Sequence, residues 1–319
     1  MLMWGRIGNR CKYLVLSNNN SIMITWLPIA SGILAVFFWG VSFVAIKIAL
    51  PQMTLETMIF FRQFLGTLTV AIIVGLRGEW QLPSSSNFRR IFLASFVGIV
   101  LHQWLQAQGM LTTTAIVTSW LSALAPILIA CISWVWLREQ FVAVQAVWLL
   151  IAGLGAVLVV SGSWQGLLQG EFGGIGTVLV LSSAVVWALY SIMLKRLLYK
   201  SNLGMTTLSV LLLGLLMLIP VFVYSEGWKD IRGISSSGWI SVVILGVGST
   251  GLASILYNYS LKHISGTLVA SLQYPEPLIT VAVASLLLHE TFTLPMSIGG
   301  LLILFGVWRV QSSDVYINN

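Results

Sequence analysis

The stretch SLQYPEPLITVAVASLLLHE, residues 271–290, sets one carboxylate between two prolines inside an otherwise apolar run. That carboxylate is Glu276, which lies about 12 residues into a predicted helix and is therefore roughly 18 Å deep, near the middle of a bilayer. A charge at that depth costs about 3 kcal/mol or more, so an ionisable residue there is a functional candidate. We expect Glu276 to bind a substrate amine or a coupling proton. The alternative is a structural glutamate that is protonated or paired with Arg62.

The two prolines that flank Glu276 indicate how the chain presents it. Pro275 and Pro277 have no N–H groups, so a helix that contains them loses hydrogen bonds to the carbonyls of Ser271 and Gln273 and bends. The sequence therefore predicts a bent segment whose free carbonyls, amide and carboxylate face one cavity.

Polar residues on other predicted helices could face the same cavity. His102 and Gln106 are four residues apart and share one face of a helix. Because histidine changes charge near neutral pH, His102 is a candidate proton site, and the alternative is a hydrogen-bonded structural role. A second polar stripe, which serves helix packing as readily as substrate contact, comprises Thr250, Ser254 and Asn258, with Tyr257 beside it.

Two tryptophans, of 14 in the chain, recur at matching places in its two halves. Trp39 and Trp187 are candidates for facing one another across the cavity, where flat rings suit an amphipathic substrate. The alternative for both is helix packing. The predicted substrate-binding residues are Trp39, Ser42, His102, Gln106, Trp187, Tyr190, Tyr257, Asn258, Tyr274 and Glu276. We predict no catalytic residue, no cofactor and no metal site.

Three further charged side chains lie within apolar segments or at their ends. Arg62 is about eight residues into its segment and cannot pair with Glu56 at a helical spacing. It either extends to the membrane surface or meets Glu276 on another helix. Glu139 and Glu290 stand at matching ends of two segments, where we expect each to tie a helix end to its neighbour.

The elements that position these residues follow from the composition. Of 319 residues, 58% are hydrophobic and 8% are charged, whereas about a quarter of the residues in soluble domains are charged. Residues 91–137 contain no Asp, Glu, Lys or Arg, and we place a hinge near Thr112–Thr114. The predicted fold class is an all-α polytopic membrane protein, because barrel strands would alternate in hydrophobicity. Ten spans of about 20 residues are predicted at 27–47, 54–75, 91–109, 114–137, 143–161, 173–195, 205–224, 238–259, 264–288 and 294–311.

The basic charge balance, +7 at neutral pH, is explained by membrane orientation. If the N terminus is cytoplasmic, most of the 16 Lys and Arg fall on cytoplasmic segments, as the positive-inside rule describes. We therefore expect a multi-pass protein of the plasma membrane, a bacterial inner membrane, with both termini cytoplasmic. The expected partners are the lipid bilayer, a small-molecule substrate and, as a further option, protons. No nucleic-acid partner is expected, and the sequence leaves the oligomeric state open.

The cysteines and the terminal segments add little chemistry. Cys11 and Cys131 are too few and too separate for a disulfide framework or a cysteine-based metal site. Residues 1–25 lack the apolar core and cleavage site of a signal peptide and are expected to be a disordered cytoplasmic tail, with Met23 as an alternative start. Residues 312–319 are expected to be the cytoplasmic C-terminal tail.

An internal repeat relates residues 26–162 to residues 172–311. At an offset of 151 residues, LSALAPILIACISWVWLREQF aligns with LQYPEPLITVAVASLLLHETF. The aligned pairs include Pro126 with Pro277, Glu139 with Glu290, and Gly155 with Gly306. At an offset of 148, Trp39 and Lys47 fall on Trp187 and Lys195.

Because each half holds five spans, an odd number, the second half must enter the membrane from the opposite side. Inverted repeats are typical of transporters, whose substrate site lies near the midplane where the halves meet. Chance similarity between apolar helices is a weaker explanation, since paired Pro and Glu at one offset do not follow from apolar composition.

The repeat and its motifs resemble the drug/metabolite transporter superfamily, EamA type. The resemblance is carried by the ten spans, the helix from a Pro to a terminal Glu in each half, the opening WGVSFVAIK and the Arg62 of FFRQFLG. It covers about residues 25–311 and implies a small-molecule carrier, often an exporter of amino acids or related metabolites. One departure is Ala125, which occupies the position that matches Glu276, so a carboxylate role falls to one half only.

The function expected is therefore secondary transport of a small metabolite, amino acid-like or amphipathic, by alternating access and in the outward direction. The chain has no Walker motif, which argues against ATP-driven transport. GVGSTG at 246–251 lies within an apolar span, where small residues permit close helix contact and no dinucleotide fold exists. The alternatives are a multi-span receptor or scaffold and an intramembrane enzyme.

Overall fold

A computed structural model describes residues 19–81, 87–137, 143–199, 201–264 and 266–317. Within these ranges the regular structure is helical. The helices are α1 (Asn19–Ala49), α2 (Leu55–Arg77), α3 (Phe88–Ser95), α4 (His102–Met110), α5 (Ala115–Ser122), α6 (Ala125–Leu137), α7 (Ala143–Ser161), α8 (Trp164–Leu168), α9 (Ile175–Leu198), α10 (Leu203–Tyr224), α11 (Ser236–Val243), α12 (Ala253–His263), α13 (Gly266–Ser271), α14 (Pro275–Leu287) and α15 (Leu294–Ile317).

Eight continuous stretches of these helices are long and apolar enough to cross a membrane. They are Trp26–Ala49, Leu55–Arg77, Phe88–Met110, Val144–Ser161, Ile175–Leu198, Leu203–Tyr224, Ser236–His263 and Leu294–Ser312. The two remaining predicted spans are each divided into two shorter helices, α5 with α6 and α13 with α14. The prediction of an all-helical membrane protein with two five-helix repeats is confirmed.

The two divided spans are the fourth of each half. In the second half the chain leaves helical geometry after Ser271 and resumes it at Pro275, the first residue of α14. The prediction of free carbonyls at Ser271 and Gln273 is wrong, because these oxygens accept the N–H groups of Tyr274, at 3.2 Å, and Glu276, at 3.0 Å. A proline at the first position of a helix costs no hydrogen bond, so the chain makes a turn here and restarts.

The third span of each half contains a π-helical segment. The first π segment is Phe96–Leu101, between α3 and α4, and the second π segment is Ile244–Leu252, between α11 and α12. An offset of 151 residues places one over the other. π-helical turns are rare and occur frequently at functional sites, and no sequence pattern noted above predicted them.

The fifth spans of the two halves, α7 and α15, pack closely on one another. A Cβ atom built on Gly155 would lie 2.5 Å from the carbonyl oxygen of Gly299, and one built on Gly299 would lie 2.5 Å from that of Gly155. Small residues allow this approach of two backbones, which is typical of helix pairs in membranes. These helices support the bundle from outside the cavity described below.

Glu290 ties two helices together, as predicted. Its Oε1 accepts the N–H of Ala115 at 2.8 Å and its Oε2 accepts the N–H of Ile116 at 3.0 Å. Thr114 caps the same end of α5 by accepting the N–H of Val117, so the hinge predicted near Thr112–Thr114 is confirmed. Glu139, its predicted counterpart, lies outside the described residues.

The terminal helices are longer than the predicted spans. α1 begins at Asn19, so residues 19–25, expected to be disordered, are helical. α15 continues to Ile317, so residues 312–317 extend the last helix where a tail was expected. The apolar runs used for the prediction mark the bilayer-crossing part of a helix, and a helix does not end where its hydrophobicity ends.

Candidate functional site

A cavity lies between the two halves and encloses about 830 Å³ of space free of protein atoms, its open mouth included. The first four spans of each half contribute to its lining, whereas α7 and α15 do not. Nine of the ten predicted binding residues line it: Trp39, Ser42, His102, Gln106, Trp187, Tyr190, Tyr257, Asn258 and Glu276.

The lining residues come largely in pairs related by the internal repeat. Offsets of 148 and 151 residues pair Trp39 with Trp187, Ser42 with Tyr190, Gly98 with Ser249, Ile99 with Thr250, Gln103 with Ser254, Gln106 with Tyr257 and Ser122 with Gln273. Equivalent positions of the two halves therefore face the same space, as expected for a site on the pseudo-symmetry axis of an inverted repeat.

Aromatic rings form one wall of the cavity. The ring centroids of Trp39 and Trp187 are 5.1 Å apart with the planes at 86°, an edge-to-face contact. Tyr257 lies 4.8 Å from Trp39, and Tyr190 lies 5.5 Å from Trp187. These separations suit attractive aromatic pairs. The two tryptophans meet as predicted, and they serve both as packing residues and as cavity wall.

Glu276 lies at the N-terminal end of α14 and is 8% exposed. Its carboxylate accepts no hydrogen bond from any described residue, although its backbone carbonyl accepts one from Thr280. The partial positive charge at a helix N terminus stabilises a carboxylate placed there. The arrangement leaves both carboxylate oxygens available to a ligand in the cavity.

Arg62 is buried and lines the same cavity. Its Nε donates to Oγ1 of Thr250 at 2.9 Å and its Nη2 donates to Oγ of Ser249 at 3.3 Å. Both predicted alternatives are wrong: the side chain does not extend to the surface, and no ion pair within 4.0 Å joins it to Glu276. The polar stripe that includes Thr250 was the signal that could have identified its partners.

His102 makes the hydrogen bond expected of a structural histidine and also lines the cavity. Its Nδ1 lies 3.0 Å from the carbonyl oxygen of Ser183, so Nδ1 carries the hydrogen that it donates. In the neutral ring Nε2 is then an acceptor. Gln106, one turn further along α4, lines the cavity with an amide that makes no hydrogen bond to a described residue. The pair can therefore offer both acceptors and donors to a ligand.

Three predicted residues are held by neighbours in ways that the sequence did not indicate. Ser42 donates to the carbonyl of Trp39 at 2.7 Å, and Asn258 donates to Oγ1 of Thr207 at 2.9 Å, both at the cavity lining. Tyr274 does not line the cavity, because its hydroxyl donates to Gln311 on α15. The turn before α14 rotates Tyr274 away from the side on which Glu276 lies.

Two amides that were not selected as binding residues belong to the lining. Gln103 donates to Oε1 of Gln63 at 3.3 Å, and its own Oε1 is buried without a hydrogen-bond partner. Gln273 donates to the hydroxyl of Tyr257 at 3.3 Å. The repeat offset could have identified both, since it pairs them with Ser254 and Ser122. In the described part of the chain, no group of three or more His, Cys, Asp or Glu could hold a metal ion.

Comparison with known proteins finds a matching family and several similar transporters. The model of the EamA-like transporter family matches residues 26–161 and 174–310. An uncharacterized transporter of Archaeoglobus fulgidus is 27% identical over 90% of this chain and 99% of its own length. The uncharacterized transporter YvbV of Bacillus subtilis is 27% identical over 88% and 90%.

More distant similarity extends to plants and to solved structures. A WAT1-related chloroplastic protein of Arabidopsis thaliana is 25% identical over 93% of this chain and 72% of its own length. A protein of known crystal structure, 17% identical, superimposes with a TM-score of 0.66 over 90% of this chain and 96% of that one. At that identity the likeness shows the fold alone.

Proposed function

The chain belongs to the EamA-like transporter family, and from that membership and the geometry of its cavity we propose a secondary carrier of one small metabolite, amino acid-like or otherwise amphipathic. The observation that carries the proposal is a cavity shared by both halves, in which an aromatic wall lies beside the carboxylate of Glu276. An apolar surface with a few convergent polar groups is typical of small-molecule sites.

Each side chain of the cavity has a proposed role. Glu276 binds a substrate amine or a coupling proton, because a carboxylate in the membrane interior requires a positively charged or hydrogen-bonding partner. Nε2 of His102 and the amide of Gln106 hydrogen-bond the substrate. The rings of Trp39 and Trp187 pack against its apolar part.

Alternating access is the proposed mechanism. In an inverted repeat the halves can exchange conformations, which opens a midplane site first to one side and then to the other. The paired lining positions and the two divided spans, α5 with α6 and α13 with α14, support this mechanism. The sequence has no nucleotide-binding motif, so movement is driven by gradients of substrate or protons.

We propose outward transport across a plasma membrane, with both termini in the cytoplasm. The support for this orientation is the distribution of Lys and Arg, which favours the side of the termini. The receptor and the intramembrane enzyme are the alternative functions. A receptor would bind the substrate without carrying it, and an enzyme would release a changed product.

The first test is counterflow in liposomes. Purified protein is reconstituted and supplied with labelled amino acids and related metabolites, because counterflow needs no external driving force. The wild type is compared with Glu276→Gln, and Glu171→Gln in the loop after α8 is the matched control. We expect exchange by the wild type and the control, with a fall of about tenfold or more in Glu276→Gln or loss of its pH dependence.

Two results would contradict the proposal. If the wild type exchanges no compound of a broad panel, transport itself is in doubt. If Glu276→Gln exchanges as fast as the wild type with the same pH profile, the carboxylate has only an architectural role.

A further inference from the structure

We propose that Arg62 binds an anionic group of the substrate, a carboxylate, and that Ser249 and Thr250 are positioning residues that hold its guanidinium in the cavity. This inference rests on the proposed function and specifies its substrate class. The substrate would carry a carboxylate for Arg62, an amine for Glu276 and an apolar part for the aromatic wall.

The contacts of Arg62 leave most of its donors unused. A guanidinium has five N–H groups, and the structure assigns one to Thr250 at 2.9 Å and one to Ser249 at 3.3 Å. The other N–H groups donate to no described residue, and Arg62 lines the cavity. A planar fork of free N–H groups is the geometry that binds a carboxylate through two parallel hydrogen bonds.

The partners of Arg62 orient its charge without neutralising it. Both are neutral hydroxyl groups, and Glu276 is not within 4.0 Å. A buried charge is costly unless it is paired. Arg62 and Glu276 both line one cavity. A ligand that carries both a negative and a positive charge would therefore pair with the two groups at once.

The second π segment makes hydrogen bonds both to Arg62 and to the aromatic wall of the cavity. Ser249 accepts from Arg62 through its hydroxyl and from the indole Nε1 of Trp39, at 3.1 Å, through its carbonyl oxygen. A Cβ built on Gly66 of α2 would lie 2.4 Å from Cγ2 of Thr250. The absence of a side chain at Gly66 thus lets α2 approach the π segment closely enough for Arg62 to reach both hydroxyls.

The alternative explanation is purely structural. In that case Arg62 would only join α2 to the second π segment, or balance Glu276 through water. Substituting it would then weaken the binding of every ligand equally, whether or not the ligand has a carboxylate. Paired ligands that differ only in that group distinguish the two explanations.

The experiment is a titration of tryptophan fluorescence in detergent with L-phenylalanine, L-leucine and L-methionine and the primary amide of each. We expect the wild type to bind at least one acid about tenfold or more tightly than its amide. Arg62→Gln should lower the affinity for that acid to that for the amide, and Arg62→Lys should retain part of the preference, because the charge stays but the fork is lost.

Two threonine-to-valine variants test the positioning role of Thr250. Thr250→Val should reduce the acid-to-amide ratio severalfold, because the acid loses more affinity than the amide does. Thr69→Val removes a hydroxyl that donates to the carbonyl of Leu65 in its own helix and lies outside the cavity, so the ratio should stay at the wild-type value. These variants keep the proposal testable even if Arg62→Gln does not fold.

Two outcomes would overturn this inference. One is a wild type that binds no acid of the panel more tightly than its amide, and the other is an Arg62→Gln protein that keeps the preference. Glu276→Gln should weaken both members of a pair and keep their ratio. A wild type that prefers the acid but shows no counterflow would contradict the carrier function while leaving the role of Arg62 intact.

Discussion

The two halves of the molecule share a backbone design and differ in their charges. Each half has a π segment in its third span and a divided fourth span, and equivalent positions line one cavity. At the repeat offsets, however, Arg62 is matched by Val210, His102 by Ala253, and Glu276 by Ala125. These three matching residues, Val210, Ala253 and Ala125, are all buried small or apolar side chains.

This difference teaches that the repeated backbone forms the shape of the cavity, and that the few residues that differ between the halves give the cavity its charged and polar groups. Arg62 belongs to the first half and Glu276 to the second, so the cavity receives a guanidinium from one half and a carboxyl group from the other. In the proposed alternating-access mechanism, a ligand that contacts both residues would link the two halves that move relative to one another.

The two π segments also share a backbone conformation and differ in one side chain at equivalent positions. In the first half Gly98 leaves room for a ring, and a Cβ built on it would lie 2.2 Å from Cδ2 of Tyr190. In the second half the equivalent residue, Ser249, carries a side chain that accepts a hydrogen bond from Arg62. One π segment accommodates an aromatic residue and the other orients a cation.

The largest expected effect comes from making the first half like the second at this position. Gly98→Ser should displace Tyr190 and lower the free energy of unfolding by about 1–3 kcal/mol, the usual cost of overpacking. Counterflow should be lost at temperatures where the variant is still folded, because the displaced ring occupies the cavity. Thermal melting in detergent and counterflow measure the two effects.

The control is Gly153→Ser on α7, where a Cβ would have no atom within 4 Å. This variant should melt and transport like the wild type. A Gly98→Ser protein with wild-type exchange would show that Tyr190 can move without affecting the site, and the difference between the π segments would then be incidental.

An intermediate effect is expected where the second half caps the first. Glu290→Gln keeps one oxygen acceptor but removes the negative charge that faces the N–H groups of Ala115 and Ile116. Loss of a capping interaction costs about 1 kcal/mol. The melting temperature should fall by a few degrees, whereas Glu171→Gln should leave it unchanged. Equal melting of the two variants would mean that α5 needs no charge at its N terminus.

The smallest effect is expected at a loop contact between the halves outside the membrane. Asp230, between α10 and α11, accepts the N–H of Thr54 at 2.8 Å and its hydroxyl at 2.7 Å, at the start of α2. Partial burial raises the pKa of Asp230, but the hydrogen bonds from Thr54 outweigh it and hold the pKa below its usual value. The stabilisation is therefore present above the unfolded-state pKa of about 4 and is lost as pH falls through the lower folded-state value.

Melting curves between pH 7 and pH 3 test this contact. Asp230→Asn should melt slightly below the wild type at pH 7, and the difference should shrink as the wild-type carboxylate becomes protonated. The effect is small because the contact lies at the protein surface, where water screens the charge. A difference that grows toward low pH would contradict the sign of the linkage.

Much of the fold and of the cavity lining could be predicted from the sequence. Membrane spans are set by composition, because a buried backbone in lipid must form helices and each helix must be apolar for about 20 residues. The match of Pro126 and Glu139 with Pro277 and Glu290 indicated the repeat, and the repeat made Trp39 and Trp187 candidates for facing one another.

The turn before α14 and the orientation of Tyr274 could not be predicted from the sequence. The division of the fourth spans was expected as a bend with free carbonyls, but the chain satisfies the carbonyls of Ser271 and Gln273 with N–H groups of the turn itself. Tyr274 lies in that turn, and its hydroxyl donates to Gln311 on α15. A rotation of one residue in a turn has no signature in hydrophobic periodicity.

The sequence by itself therefore determined that this protein is a helical membrane protein built from two five-span halves, since hydrophobicity and repetition act along the chain. Only the tertiary structure decided which charges share a cavity and which are held apart. Arg62 and Glu276 are 214 positions apart in the chain, yet both line one cavity, where the hydroxyls of Ser249 and Thr250 hold the guanidinium through contacts between helices. Such contacts depend on how the helices pack.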